Sequence, residues 1–196
     1  YLAAFRQLGW TVEVACGGTP MEIPEAHRVV YIPFEKEMLS LRNGAACRQL
    51  RRLMKEEGYD LVSCHTALAA FFTRMAVWGL KNRPKVACTV HGYLFGEENS
   101  AAKGLLLKGA ERMAAPVTDL LMTMNRWDTQ YAATHRVAAR VAEVPGIGLD
   151  TGRLAPVNGQ VRDALRAEWG VGADEVLLLY AAEFSGRKSQ HVLIRA

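Results

Sequence analysis

K-V-A-C-T-V-H-G-Y, residues Lys85–Tyr93, is a short run of β-branched and small apolar residues that breaks on a glycine. Its first six residues do not alternate polar with apolar. They read as a strand buried on both faces, Lys85–Val90, with His91-Gly92-Tyr93 opening the loop after it. Working outward, the same kind of run recurs at Thr11–Cys16, Arg28–Ile32, Asp60–Cys64, Asp119–Thr123 and Arg140–Val144. Helical periodicity fills most of the spaces between: Gly44–Glu57, closed by Gly58, then Ala67–Leu80, Ala101–Ala115 and Trp127–His135. Short apolar strands alternating with longer amphipathic helices require a parallel sheet covered on both faces. The expected fold is therefore α/β, a doubly wound Rossmann-like parallel sheet. Right-handed crossovers bring the strand C-termini and their loops to one edge, where ligands bind in such folds.

Composition narrows the function classes. Lys and Arg number 24 against 20 Asp and Glu, and the net charge of +4 is too small for a nucleic-acid binder. Cys16, Cys47, Cys64 and Cys88 are widely spaced and form no Cys-x-x-Cys or His/Cys cluster, so they read as small core hydrophobes with no metal site. No apolar run approaches the roughly 18 residues of a membrane span, and no signal peptide is visible. A cytoplasmic protein is the expectation.

The ends and the middle carry organisation. Tyr1, Leu2, Phe5 and Leu8 share a helical face that Gly9 closes, so the chain is expected to start inside a helix with something before it. After Val144 the turn-rich stretch Pro145-Gly146-Ile147-Gly148-Leu149-Asp150-Thr151-Gly152 reads as a domain boundary. Residues 1–152 form one expected domain, and 153–196 a linker and the start of a second. Within the latter, a helix at Val161–Trp169, a buried-type strand at Val176–Ala182 and a helix from Ser189 are expected. One strand and part of a helix cannot bury a core, so the natural protein is expected to continue past Ala196.

Chemistry is sought in the loops at strand C-termini. His65-Thr66 follows one strand and His91-Gly92-Tyr93 the next. An imidazole can donate or accept a hydrogen bond to a ligand hydroxyl near neutral pH, and Gly92 beside His91 lets a ligand approach closely. Structural roles, a satisfied strand-end histidine or a turn cap, are the alternatives. In Glu183-Phe184-Ser185-Gly186-Arg187-Lys188, two cations at a helix start oppose the macrodipole unless an anion sits there, which suits a diphosphate; a solvated charge pair is the alternative. Gly146-Ile147-Gly148 lacks the helix and the later acid of a dinucleotide fingerprint, and Gly92 with Gly96 lacks the ending of a P-loop. Ala101–Ala115 is apolar with Lys103, Lys108 and Arg112 along a flank. It reads as a sheet-covering helix or as an interfacial helix near anionic lipid.

Five segments occur in an order that resembles a known family: T-V-H-G-Y-L-F (Thr89–Phe95), E-R-M-A-A-P-V-T-D (Glu111–Asp119), Asn125, V-P-G-I-G-L-D (Val144–Asp150) and E-F-S-G-R-K-S-Q-H-V-L-I-R-A (Glu183–Ala196). Together they are similar to the retaining glycosyltransferases of family 4, especially those of bacterial capsular and exopolysaccharide assembly. The resemblance implies a GT-B fold of two Rossmann-like domains across a cleft, truncated here at both ends. It implies that His91 contacts the transferred sugar or organises the reaction, and that Arg187 and Lys188 bind the diphosphate of a UDP- or GDP-linked donor without a bound metal or other cofactor. His65, Thr66, Gly92 and Tyr93 would line the acceptor side, toward a glycan or polyprenyl-linked acceptor, with peripheral contact at the inner membrane face. Family members also carry an earlier strand with a glycine-containing loop and a later pair of glutamates separated by seven residues. Neither is in this chain, so these 196 residues alone are expected to be inactive. Two other readings stay open: a non-catalytic acceptor-binding or partner-docking half of a split transferase, and a nucleotide-sugar epimerase-like enzyme. Against the second, no Tyr-x-x-x-Lys occurs.

Overall fold

The computed structural model describes residues 2–35, 37–38, 40–93, 95, 101–153 and 158–196, with residues 153 and 187 described in their backbone alone. The chain divides into two compact units, Tyr1–Gly146 and Ile147–Ala196, and Gly146 turns the chain at φ +100°.

In the first unit the elements run α1 (Leu2–Gln7), β1 (Glu13–Cys16), β2 (Arg28–Tyr31), α2 (Leu41–Glu57), β3 (Leu61–His65), α3 (Ala67–Val77), β4 (Lys85–Val90), α4 (Ala101–Ala114), β5 (Leu120–Thr123), α5 (Arg126–His135) and β6 (Arg140–Glu143). Every strand pairing is parallel. β1 pairs with β2, and β3-β4-β5-β6 form a separate four-stranded sheet. The α/β architecture read from the sequence is the one observed, with its strands divided two and four.

Local chemistry sets the helix ends. α2 begins at Leu41, ahead of the expected Gly44, because the Ser40 hydroxyl accepts the Arg42 N–H and supplies an N-cap. Gly58, in the left-handed region, closes it with its N–H on the Met54 carbonyl. α3 stops at Val77, short of the expected Leu80. The Arg51 guanidinium on α2 takes the carbonyls of Ala76 and Trp78, and Gly79 turns left-handed at φ +72°.

The core lies between one face of the four-stranded sheet and the helices over it. Cys64, Val86, Cys88 and Leu121 point from the strands toward Leu50 and Met54 of α2 and Ala70 and Val77 of α3. Cys64 and Cys88 are register partners and both are free thiols, as are the half-buried Cys16 and Cys47. The other face carries a hollow of about 240 Å³ between Phe5 and residues such as Leu61, Ala87 and Met122. Its lining comes from the strand interiors, away from the loop-bearing edge.

The core also holds a charged contact. Arg74 of α3, only 1 % exposed, donates from Nη1 and Nη2 to the two carboxylate oxygens of Glu111 on α4, at 2.9 and 2.7 Å. Its Nε donates to the Ala70 carbonyl at 3.2 Å. Burial works against the guanidinium charge and the Glu111 bonds outweigh it, so Arg74 holds its proton more tightly than in water. This two-pronged pair ties α3 to α4.

In the second unit, α6 (Gly159–Glu168) is capped by the Asn158 side chain accepting the Val161 N–H, and α7 spans Gln190–Arg195. The expected buried strand at Val176–Ala182 is not there. A strand exists only through pairing, and no strand among the described residues of this unit can pair with it. Its apolar side chains are correspondingly open, Val176 at 85 % and Leu179 at 79 % exposure. Tyr180 anchors the run by donating its hydroxyl to the Lys188 carbonyl at 2.6 Å.

Candidate functional site at the C-terminal sheet edge

Parallel register brings the first cluster together. His65 ends β3 opposite Thr89 of β4, so the loops after both strands leave the sheet at one level. His91 stands two residues beyond Thr89. Its Nε2 lies 3.4 Å from Nδ1 of His65, with the rings 5.7 Å apart and tilted at 45°. Ser63 and His65 are two apart on the strand and share a face, and the Ser63 hydroxyl is 3.3 Å from His65 Nε2. His65 is half-buried and His91 exposed. Burial, and then the nearby His91 charge, hold the His65 imidazole below its ordinary range.

Backbone conformation shapes the rim. Thr66 caps α3 at φ +64°, ψ +141°, without a side-chain hydrogen bond to the helix. A β-branched residue is strained there, and such strain gathers at ligand sites. Gly92 has φ +138°, and an added Cβ would meet nothing within 4 Å. Among the described residues the space beside Gly92 is open, and the glycine is demanded by backbone conformation.

The loop is clamped from the far side. Asn125 caps α5 by accepting the Asp128 N–H at 2.8 Å, while its own amide donates to Asp128 Oδ2 at 2.6 Å. The same Oδ2 accepts the Tyr93 N–H at 3.3 Å, and Asp128 is 2 % exposed. An acid in the first turn of a helix is favourably placed against the macrodipole. Asp128 was missed by the sequence reading, although Asn125-x-x-Asp128 after a strand is a capping-box pattern. The Tyr93 ring turns inward, 4.4 Å from Phe95 and edge-on to Tyr131 at 5.4 Å. Its hydroxyl is buried without a hydrogen-bond partner among the described residues, and burial, with the Glu111 charge behind it, pushes its pKa up.

The second expected cluster lies in the other unit. Gly186–Lys188 form one 3-10 turn, followed by Ser189 in the left-handed region at φ +52°, so the helix opens at Gln190. Lys188 is half-buried, and its carbonyl takes the Tyr180 hydroxyl. The Arg187 side chain lies outside the described residues. Among the described residues, no group of three or more His, Cys, Asp or Glu converges as metal ligands. No helix among them is long and apolar enough to cross a membrane.

Comparison with known proteins gives this edge a context. Residues 2–153 match Glycosyltransferase Family 4. The chain is similar to EpsD of Bacillus subtilis (strain 168), a glycosyltransferase by its name, with 32% identity over 198 residues covering 100% of this chain and 52% of that protein. It is also similar to the Escherichia coli UDP-Gal:alpha-D-GlcNAc-diphosphoundecaprenol alpha-1,3-galactosyltransferase, with 26% identity over 137 residues, 68% of this chain and 35% of that protein. The chain spans about half the length of the first of these relatives and about a third of the second.

Proposed function

The chain belongs to glycosyltransferase family 4, and from that membership we propose that the protein transfers a sugar from a nucleotide-sugar donor to a glycan or lipid-linked acceptor in polysaccharide biosynthesis. The transfer retains the anomeric configuration, and the polymer is of the capsular or exopolysaccharide kind. Residues 1–152 carry the acceptor side, and 153–196 open the donor side. The observation that carries the reading is His91, exposed on a glycine loop at the sheet edge, with that loop pinned by Asp128 and flanked by His65. A fixed imidazole at such an edge meets a hydroxyl of the transferred sugar and lowers the barrier by orientation and hydrogen bonding. His65, Thr66, Gly92 and the backbone at Tyr93 form the acceptor-side wall.

Arg187 and Lys188 hold the donor diphosphate. As the glycosidic bond breaks, negative charge grows on the departing UDP or GDP, and two cations there stabilise it without a resident metal. A polyprenyl-diphosphate acceptor agrees with the diphosphoundecaprenol in the name of the Escherichia coli relative. Such an acceptor calls for contact with the inner membrane face. α4 suits this: Leu105, Leu106 and Met113 are exposed along one stripe, with Lys108 and Arg112 beside it.

The test is transfer by the full-length protein from labelled UDP-galactose, UDP-glucose, UDP-N-acetylglucosamine and GDP-mannose to a polyprenyl-diphosphate-linked N-acetylglucosamine or a membrane extract. Labelled product with the donor's anomeric configuration is expected. Inversion at the anomeric carbon would overturn the stereochemistry, and no labelled glycan from any donor would overturn the function.

A further inference from the structure

We propose that His65 is a positioning residue for His91, and that the hydrogen bond between its Nδ1 and His91 Nε2 fixes whether the remaining His91 nitrogen, Nδ1, meets its ligand as donor or acceptor. The inference rests on the reading of His91 as the ring that meets the sugar. It narrows the part of His65 in the acceptor-side wall to its ring carbons, because both His65 nitrogens are occupied: Nδ1 by His91 at 3.4 Å and Nε2 by the Ser63 hydroxyl at 3.3 Å. Neither is left for a substrate hydroxyl.

Two neutral imidazoles share a hydrogen bond in only one sense at a time. If His65 Nδ1 carries the proton, His91 Nε2 accepts, the His91 proton is on Nδ1, and that atom donates outward. If His91 Nε2 carries the proton, Nδ1 is bare and accepts. The second nitrogen of a histidine is set in this way by the bond that the first one makes. Control runs from His65 to His91 because the two rings are unequally held. His65 is the last residue of a paired strand, half-buried, with Ser63 behind it on the same strand face. His91 is exposed on the loop.

The direct measurement is the His91 tautomer in the full-length protein, read from the ring nitrogens by NMR with 15N-histidine. Wild type is expected to show one dominant His91 tautomer, and His65→Phe, which keeps a ring but no nitrogen, a mixture of both. His65→Asn places an amide atom near the lost Nδ1 and should restore a single dominant form. The same His91 tautomer balance in wild type and His65→Phe overturns the proposal. Should His65→Phe fail to fold, Ser63→Ala removes only the outer contact and must still shift the balance; no shift there is equally fatal.

The kinetic arm uses the same variants. Turnover is expected to fall about tenfold or more in His65→Phe with donor KM within about twofold, and to recover in His65→Asn. A donor KM rise without loss of turnover contradicts a positioning role. The NMR arm needs no substrate, so a protein that transfers no sugar defeats the proposed function while the His65–His91 coupling is still decided by itself.

Discussion

Gly92 and Thr66 hold conformations that their residue types make expensive to change or to keep. Gly92→Ala adds a methyl to open space, yet at φ +138° the cost is conformational, about 1–3 kcal/mol, and should appear as a lower Tm. Thr66→Gly removes a strained β-branched residue at φ +64°. It should leave Tm equal or higher while sugar transfer falls; unchanged transfer would mean that the Thr66 side chain has no part in the acceptor wall. His65 links the same rim to pH. Its folded-state pKa is depressed, so the unfolded chain binds the proton more readily. Stability from this group is full above the ordinary imidazole value of roughly 6.5 and is lost as pH falls through the depressed folded value. Between about pH 7.5 and about pH 5.5, wild type should lose more Tm than His65→Asn, and equal losses would contradict the assignment. Candidate residues His65, His91 and Gly92 were legible because strand ends can be read from apolar runs. The contact between the imidazoles was not, since it depends on the register that sets His65 against Thr89.

Elements meet through polar clamps that sequence periodicity does not reveal. Asn125→Ala deletes the α5 cap and should cost about 1 kcal/mol. It also frees Asp128, whose carboxylate accepts the Tyr93 N–H, so that amide should exchange with solvent faster than in wild type. Arg74–Glu111 was illegible for a related reason: charged residues read as solvent-facing, and only packing shows that α3 and α4 bury both. Removing one partner, as in Arg74→Met, should destabilise by about 3–5 kcal/mol in denaturant unfolding. Replacing both with Met should cost much less, because no charge is left buried and unpaired. On the outer side of α4, Leu105→Glu with Leu106→Glu should abolish binding to phosphatidylglycerol vesicles in flotation. Each leucine can contribute about 1.5–3 kcal/mol when buried, and the two glutamates add repulsion from anionic lipid. Vesicle binding that survives both changes would place the membrane contact elsewhere.

At the scale of the whole molecule, the strand reading succeeded in one unit and failed in the other for a single physical reason. Val176–Ala182 is more apolar in sequence than Lys85–Val90, but β4 has β3 and β5 on its two sides and the later run has no paired neighbour among the described residues. Apolar character calls for burial, and only hydrogen-bonded neighbours and covering helices supply it. Val86 is 0 % and Cys88 1 % exposed, whereas neither α6 nor α7 has a buried residue. Local opening free energy follows such differences, from near zero at exposed segments to the global value in a packed sheet. Hydrogen exchange should therefore find the amides of Val86, Ala87 and Cys88 opening only with global unfolding, at about 5–15 kcal/mol, and those of residues 176–182 exchanging near the unprotected rate. Protection at 176–182 comparable to β4 would show that this run is paired in solution, and the strand first read from its sequence would then be real.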